Sequence, residues 1–325
     1  MAGVEQGGDE TLTDEAGGAR DEDGAHGANL RTINGPGSAE PHRRSLGYGG
    51  EASGGRWHPD RRLGIPNLMP ERPRPPLRTA TVDRTERIGR DLVRVVLTGE
   101  ALADLPELAF TDHYVKLLFG EVTRTYTIRS FDRVTQEMAI DFVVHGDAGL
   151  AGPWAARAQP GEEISFRGPG GAWAPDPSAD VHLLAGDESA VPAIAAAMEQ
   201  LPVGARAEVV IEVADAGGEL DLPGCPGARI TWVRRDETGL GYGHALAAAV
   251  RDLEWPRGRV AAFAHGNADM VKDLRRYLFV ERGLPRDQVS ISGYWRTGQD
   301  EGAWQAGKRD FVAAMDAEEA ALAKG

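Results

Sequence analysis

The chain has 325 residues, with 36 Lys plus Arg against 50 Asp plus Glu and a formal net charge of −14. That length suggests two domains of ordinary size with a tail, and an acidic chain with no Lys/Arg-dense block reads against a nucleic-acid binder. One cysteine, Cys225, excludes an intramolecular disulfide, a thiolate zinc site and a four-cysteine iron–sulfur site, and no run of about eighteen apolar residues offers a membrane span.

Residues 1 to about 56 are rich in Gly, Ala, Asp and Glu and almost free of large apolar side chains. Such a segment cannot bury enough surface to offset chain entropy, so it is expected to be disordered. Its start, MAGVEQGGDE, lacks a basic n-region and an apolar h-region. It therefore reads as no secretory signal, and a cytoplasmic location is expected. The Pro-rich stretch PNLMPERPRPPLR (66–78) reads as a stiff, extended lead-in, so that residues 1–70 form tail and lead-in.

From Arg78 the pattern becomes strand-like. Val93, Val95 and Leu97 alternate with Arg94, and HYVKLLF (113–119), RTYTIRSF and EMAIDFVVHG repeat the alternation. A short helix is expected over GLAGPWAARAQ (149–159), then a strand and a glycine turn in EEISFRGPGG. Residues 71–175 are thus expected to form a small six-stranded antiparallel β-barrel. After APDPSAD (174–180) strands and helices alternate: VHLLAG, SAVPAIAAAMEQL, ARAEVVIEVA, ARITWVRR, GHALAAAVRDL, GRVAAFAHG, NADMVKDLRRYLFVERG, DQVSISGYWR and a closing helix DFVAAMDAEEAALAKG. That grammar predicts a doubly wound parallel sheet of nucleotide-binding type over 176–325.

The segment RTYTIRSFD (124–132) raises the first question of chemistry. A core strand would carry Val, Ile or Leu where this one carries Arg124, Tyr126 and Arg129. Either it is a solvent-facing strand or it is a wall for an aromatic, anionic cofactor. In the second reading Tyr126 stacks on a flavin, Thr127 hydrogen-bonds its edge, and Arg124 neutralises a diphosphate with paired donors. DFVVHGDAGLAGPWAARAQPG breaks at Gly146 and enters a helix near Ala151, whose free N–H groups suit a diphosphate. His145 is then a contact to the adenosine or phosphate region, or an ordinary strand-end histidine; Trp154 packs in the first turn. LLAGDESAVPAI (183–194) places Gly186, Asp187 and Glu188 at a strand–turn–helix junction, the position of a nucleotide in an α/β sheet. It lacks the Gly-x-Gly-x-x-Gly fingerprint, and a routine capped turn fits equally. SGYWRTG (292–298) brings Tyr294, Trp295 and Arg296 to a strand end, where a domain cleft would lie.

In order along residues 78–325, HYVKLLF, RTYTIRSFD, DFVVHGDAGLAGPWAARAQPGEEISFRGPGG, LLAGDESAVPAI, FAHGNADMVKDLRRYLFVERGL and SGYWRTG resemble the siderophore-interacting proteins, flavin-dependent ferric-siderophore reductases of ferredoxin-reductase-like architecture. The resemblance implies FAD in the barrel, contacted by Arg124, Tyr126, Thr127, Asp141, Val143, His145, Gly149, Ala151 and Trp154. It implies NADPH or NADH against the α/β domain, at Gly186, Asp187, Glu188 and Trp295, with ferredoxin as an alternative donor. The expected partner is a ferric siderophore; Lys116, Arg129 and Arg296 are its candidate contacts, surface ion pairs being the other reading of each. No residue is expected to act as a general acid or base, and no resident metal is expected. Two departures stand out: Gly149-Leu150-Ala151-Gly152 where the family usually reads Gly-Pro-Ala-Ser, and Ser189 where it has Thr.

Overall fold

The computed structural model describes residues 75–144 and 149–322. The expected tail, its predicted disorder and most of the Pro-rich lead-in lie outside the described residues, as does His145.

Six strands close an antiparallel barrel: β1 Leu77–Arg87, β2 Leu92–Thr98, β3 Tyr114–Phe119, β4 Val122–Asp132, β5 Glu137–Val143 and β6 Glu163–Gly170, in the order β1-β2-β5-β4-β3-β6. Alternation along each strand drives one face inward. Val95, Leu97, Leu117, Ile140, Phe142 and Phe166 are completely buried there. A short helix α1, Ala151–Ala155, follows β5; it is half the length the sequence suggests. Gly152 allows it to seat on β5, since a Cβ there would come 2.8 Å from the Val143 carbonyl oxygen.

The second half is a five-stranded parallel sheet of β7 Val181–Asp187, β8 Arg206–Val213, β9 Ala228–Arg234, β10 Val260–Asn267 and β11 Val289–Trp295, in the order β11-β10-β7-β8-β9. Helices α2 Val191–Gln200, α3 Arg235–Thr238, α4 His244–Asp252 and α5 Ala268–Arg275 connect them. Both faces of the sheet are packed, one around Leu183, Val210, Leu246 and Leu274, the other around Leu184, Ile194, Ile211 and Phe263, which explains why β7 and β10 read as unbroken apolar runs. The strand order reverses between β7 and β10, so the loops at their C-terminal ends splay apart and leave a crevice.

The closing helix α6 spans Glu301–Leu322, starting nine residues before the segment that the apolar pattern marks. Its first turns carry Gly302, Gly307 and polar residues and conceal the period. Asp300 Oδ1 accepts the Ala303 N–H at 2.7 Å and so caps this start.

Candidate functional site

Strand β4 supplies the wall. Its ladder with β5 covers only Ile128 to Asp132, whereas its ladder with β3 runs from Val122 to Thr127. The first half of β4 therefore presents an edge that no strand occupies. Aromatic rings floor this opening: Tyr126 lies 4.3 Å from Phe142 between centroids, and Trp154 meets both Phe142 and Phe119 edge-on at 5.5 and 5.6 Å. Burial drives the Tyr126 phenol well above its ordinary pKa, with Glu301 adding to the rise, so the ring is neutral and serves as a flat apolar surface. Arg124 sits beside it on the same strand, its Nη1 on the Thr123 carbonyl at 3.0 Å. A cation, a ring floor and a strand edge that no other strand pairs together suit a flavin dinucleotide, whose ring stacks and whose diphosphate needs positive charge.

The opposite face of β4 meets the parallel sheet. The Thr127 side chain is buried and hydrogen-bonded to the Tyr294 phenol, which burial holds far above its ordinary pKa. Arg129 falls in a bulge, since pairing jumps from Ile128↔Ile140 to Ser130↔Ala139; the extra residue re-aims its side chain outward. There it forms a two-pronged pair with Glu199 of α2, at 2.9 and 2.6 Å. Arg129 is thus a strut between barrel and sheet, and of its two readings from sequence, siderophore contact or ion pair, it is the ion pair that is seen here.

Two charged residues beside the candidate site, Glu301 and Lys308, were not among the residues that the sequence pointed to. Glu301 opens α6 and accepts the Thr125 N–H at 3.1 Å, with its other oxygen 3.7 Å from Arg124 Nε. Burial raises its pKa, while Thr125, Arg124 and Lys116 pull the other way. Lys308 donates to Ser292 Oγ at 3.1 Å, and burial lowers its pKa while Glu301 opposes the shift. Lys116, Arg124, Glu301 and Lys308 therefore form one charged group at the mouth of the β4 opening. The spacing Glu301, Trp304, Lys308 puts three residues on one helix face, a signal available in the sequence had α6 been started early enough. Arg296 is near Asp269, at 3.5 Å, and its guanidinium lies over Phe311 at 4.9 Å.

The remaining predicted contacts are distributed as follows. Asp141 lies outside the barrel wall and is clamped by Arg94, at 2.7 and 2.9 Å, so its carboxylate already has a partner. Val143, Gly149 and Ala151 frame the start of α1; Gly149 has φ +81° with open space where a Cβ would project. Gly186, the last residue but one of β7, lies against β10, where a Cβ would come 2.7 Å from the His265 carbonyl oxygen. Asp187, 1 % exposed, accepts Asn267 N–H at 2.8 Å, Trp295 Nε1–H at 2.9 Å and Ser189 N–H at 3.0 Å. Burial, reinforced by Glu188, raises its pKa to about 6. Asp187 therefore locks the β7 and β10 turns and Trp295 together rather than facing a ligand. Glu188 is likewise engaged, with Arg235 at 2.5 and 3.1 Å. Arg235 also reaches Glu212 at 3.3 Å and stacks over Tyr242 at 4.0 Å. Glu212 accepts the Gly243 and Leu246 N–H groups, fixing the start of α4.

A six-stranded antiparallel barrel followed by a five-stranded parallel sheet with helices on both faces is the architecture of the ferredoxin-reductase-like flavoproteins. A ferredoxin reductase of a carbazole 1,9a-dioxygenase shares this fold with a TM-score of 0.54 at 16% identity, over 68% of this chain and 70% of that one. Residues 81–121 and 120–173 match the siderophore-interacting FAD-binding domain, and residues 179–298 the siderophore-interacting protein model. The chain belongs to the siderophore-interacting protein family. It is 39% identical to an uncharacterised protein of Mycobacterium tuberculosis (74% of this chain, 97% of that one). Similarity extends to the ferric vibriobactin reductase of Vibrio cholerae, 34% identical over 68% of this chain and 90% of that one. It extends also to an NADPH-dependent ferric-chelate reductase of Escherichia coli, 30% identical over 67% and 92%. A siderophore utilization protein from T. fusca superposes with a TM-score of 0.63 at 37% identity, over 69% of this chain and 94% of that one.

Proposed function

We propose that the protein reduces the iron of ferric siderophores, with electrons passing from a nicotinamide dinucleotide through FAD held in the β4 opening. The observation that carries this reading is the edge of β4 that no other strand pairs, with its aromatic floor and Arg124, inside a domain that matches a siderophore-interacting FAD-binding domain. Relatives named as ferric-chelate and ferric vibriobactin reductases support it. FAD supplies the means to accept a hydride and release electrons singly, as a ferric centre requires.

The chain's own residues bind, orient and attract. Tyr126, backed by the buried Phe142, offers the stacking surface and Arg124 the cation for the diphosphate. Thr127, on the face of β4 that meets the sheet, is bonded to Tyr294 and would hold steady the strand that carries these groups. Val143, Gly149, Ala151 and Trp154 border the diphosphate side. Lys116, Arg124 and Lys308 outnumber Glu301 and give the mouth local positive charge on an acidic protein, which favours an anionic ferric chelate; Arg296 is a further candidate contact. Fe(II) carries less charge than Fe(III) and suits hard catecholate or hydroxamate oxygens less well, so reduction loosens the chelate. No proton transfer by a side chain is needed for the electron steps. Among the described residues no helix is long and apolar enough to cross a membrane, and the nicotinamide pool that this reading requires places the reaction in the cytoplasm.

The test is direct. The purified protein is loaded with FAD, reduced anaerobically by NADH or NADPH, and mixed with a ferric hydroxamate or catecholate in the presence of a ferrous-specific chromophore. Bleaching of the flavin band, its return on adding the chelate, and ferrous chromophore formation are expected. A protein that fails to retain FAD, or that yields no ferrous iron when its flavin is reduced, overturns the reading.

A further inference from the structure

The C-terminal edge of the parallel sheet bears on which dinucleotide it accepts. The sheet reads third, second, first, fourth, fifth strand from β9 to β11, so a dinucleotide laid across the β7/β10 crevice extends its adenosine half toward the ends of β8 and β9. Three arginines stand at that rim, and each is already neutralised by two carboxylates. Arg90 holds Asp91 and Asp215, with both Asp215 oxygens at 2.6 Å. Arg234 holds Glu219 at 2.6 Å and Glu237 at 2.7 Å. Arg235, with only 10% of its side chain exposed, holds Glu188 and Glu212. Six carboxylates thus face three guanidiniums, and the more exposed ones, Asp215, Glu219 and Glu237, line the side open to solvent.

We propose that this rim selects the 2′-hydroxyl ribose of NADH over the 2′-phosphate of NADPH, with Asp215 as the acceptor for the ribose hydroxyl and Arg234 withheld from phosphate by Glu219 and Glu237. The proposal rests on the reading that a nicotinamide dinucleotide is the electron donor. A carboxylate at the end of the strand after the first βα turn accepts a ribose hydroxyl, whereas a 2′-phosphate needs an arginine with donors to spare. Here Arg235 is enclosed, and its stacking on Tyr242 holds it in place. Arg234 gives its Nε and Nη1 donors to two carboxylates, so a dianionic phosphate arriving there meets more negative charge than positive. Like-charge contact of this kind is a strong discriminator between ligands.

The experiment is an equilibrium titration of the FAD-loaded full chain with NAD⁺ and, separately, NADP⁺, followed by the flavin absorbance change and by tryptophan fluorescence, at low and at raised salt. NAD⁺ is expected to bind at least about tenfold tighter at low salt, and the gap is expected to narrow as salt screens the rim. The double variant Glu219→Gln, Glu237→Gln frees Arg234, and the NAD⁺:NADP⁺ affinity ratio is expected to fall at least about fivefold. Circular dichroism checks that this variant folds; if it does not, the salt dependence of the wild-type ratio carries the test. NADP⁺ binding as tightly as NAD⁺ in the wild type overturns the proposal, and so does an unmoved ratio in a folded variant. If neither dinucleotide binds, yet dithionite-reduced flavin still delivers electrons to a ferric chelate, the donor reading and this selectivity fall together while ferric reduction stands.

Discussion

Asp187 shows what burial does to a single carboxylate. Its proton is held to about pH 6, against 3.8 for an ordinary aspartate, because desolvation and Glu188 outweigh the hydrogen bonds from Ser189, Trp295 and Asn267. The folded state therefore binds this proton more tightly than the unfolded chain does. Stability from this residue is highest below about pH 4 and declines as pH rises through 6, by about 3 kcal/mol in total. Denaturant unfolding of the wild type and Asp187→Asn between about pH 4 and 7 checks this: the wild type loses ground to the variant as pH rises, and a flat difference contradicts it. Glu212 stands differently, since its oxygens satisfy two backbone donors and Arg235. Its replacement by Ala leaves those groups unpaired in the interior and costs about 3 kcal/mol or more of unfolding free energy. At the flavin wall, Arg124→Ala is expected to weaken FAD binding by about tenfold to a hundredfold, read by flavin fluorescence, with the far-ultraviolet circular dichroism unchanged.

Contacts between elements decide how the two halves meet. β4 carries the stacking ring on one side and the joint to the sheet on the other, and the bulge at Arg129 separates these duties. Because Glu199 is half-exposed, the pair contributes little, and Arg129→Ala is expected to cost less than about 1 kcal/mol. The KM for a ferric chelate should stay within about twofold, since the guanidinium is already engaged with Glu199. A larger rise in KM, with stability unchanged, returns Arg129 to the substrate site. The start of α6 acts in the other direction. Glu301 is an internal counter-ion for Arg124 and Lys116, so Glu301→Gln is expected to raise the affinity for FAD, an anion, by about threefold or more. Flavin titration at constant ionic strength reads this, and an affinity that falls means that Glu301 supports the bound state instead.

At the scale of the molecule, the barrel and the sheet are joined by several small contacts rather than one large one. Asp112 accepts the Ala172 and Trp173 N–H groups at 2.9 Å, tying the linker to the barrel, and Trp173 packs on Phe263 of the sheet at 4.8 Å. Arg90–Asp215, Arg129–Glu199 and Thr125–Glu301 add polar links across the joint. A ligand bound to β4, the strand from which this joint springs, is expected to stabilise both halves together. FAD at a hundredfold over its Kd is expected to add about 2.7 kcal/mol to the folded state. The melting temperature should rise as one transition, measured by circular dichroism so that flavin fluorescence does not interfere.

Local rules sufficed for the order and type of the elements. Alternation in β2, β3 and β5, unbroken apolar runs in β7 and β10, and Gly186 at a close crossing are properties of short windows, because side-chain period and backbone clearance are local quantities. The same windows exposed Arg124, Tyr126 and Arg129 as residues misplaced for a core. What they did not contain was the partner of each charge. Asp141 is claimed by Arg94 from 47 positions away, Arg129 by Glu199 from 70, and Arg124 meets Glu301. Asp187 reads as a ligand-facing acid until Asn267 and Trp295 close over it. Whether a charged side chain serves a ligand or another side chain depends on which distant elements the topology brings beside it, and that was decided only when the barrel closed and the sheet packed against β4.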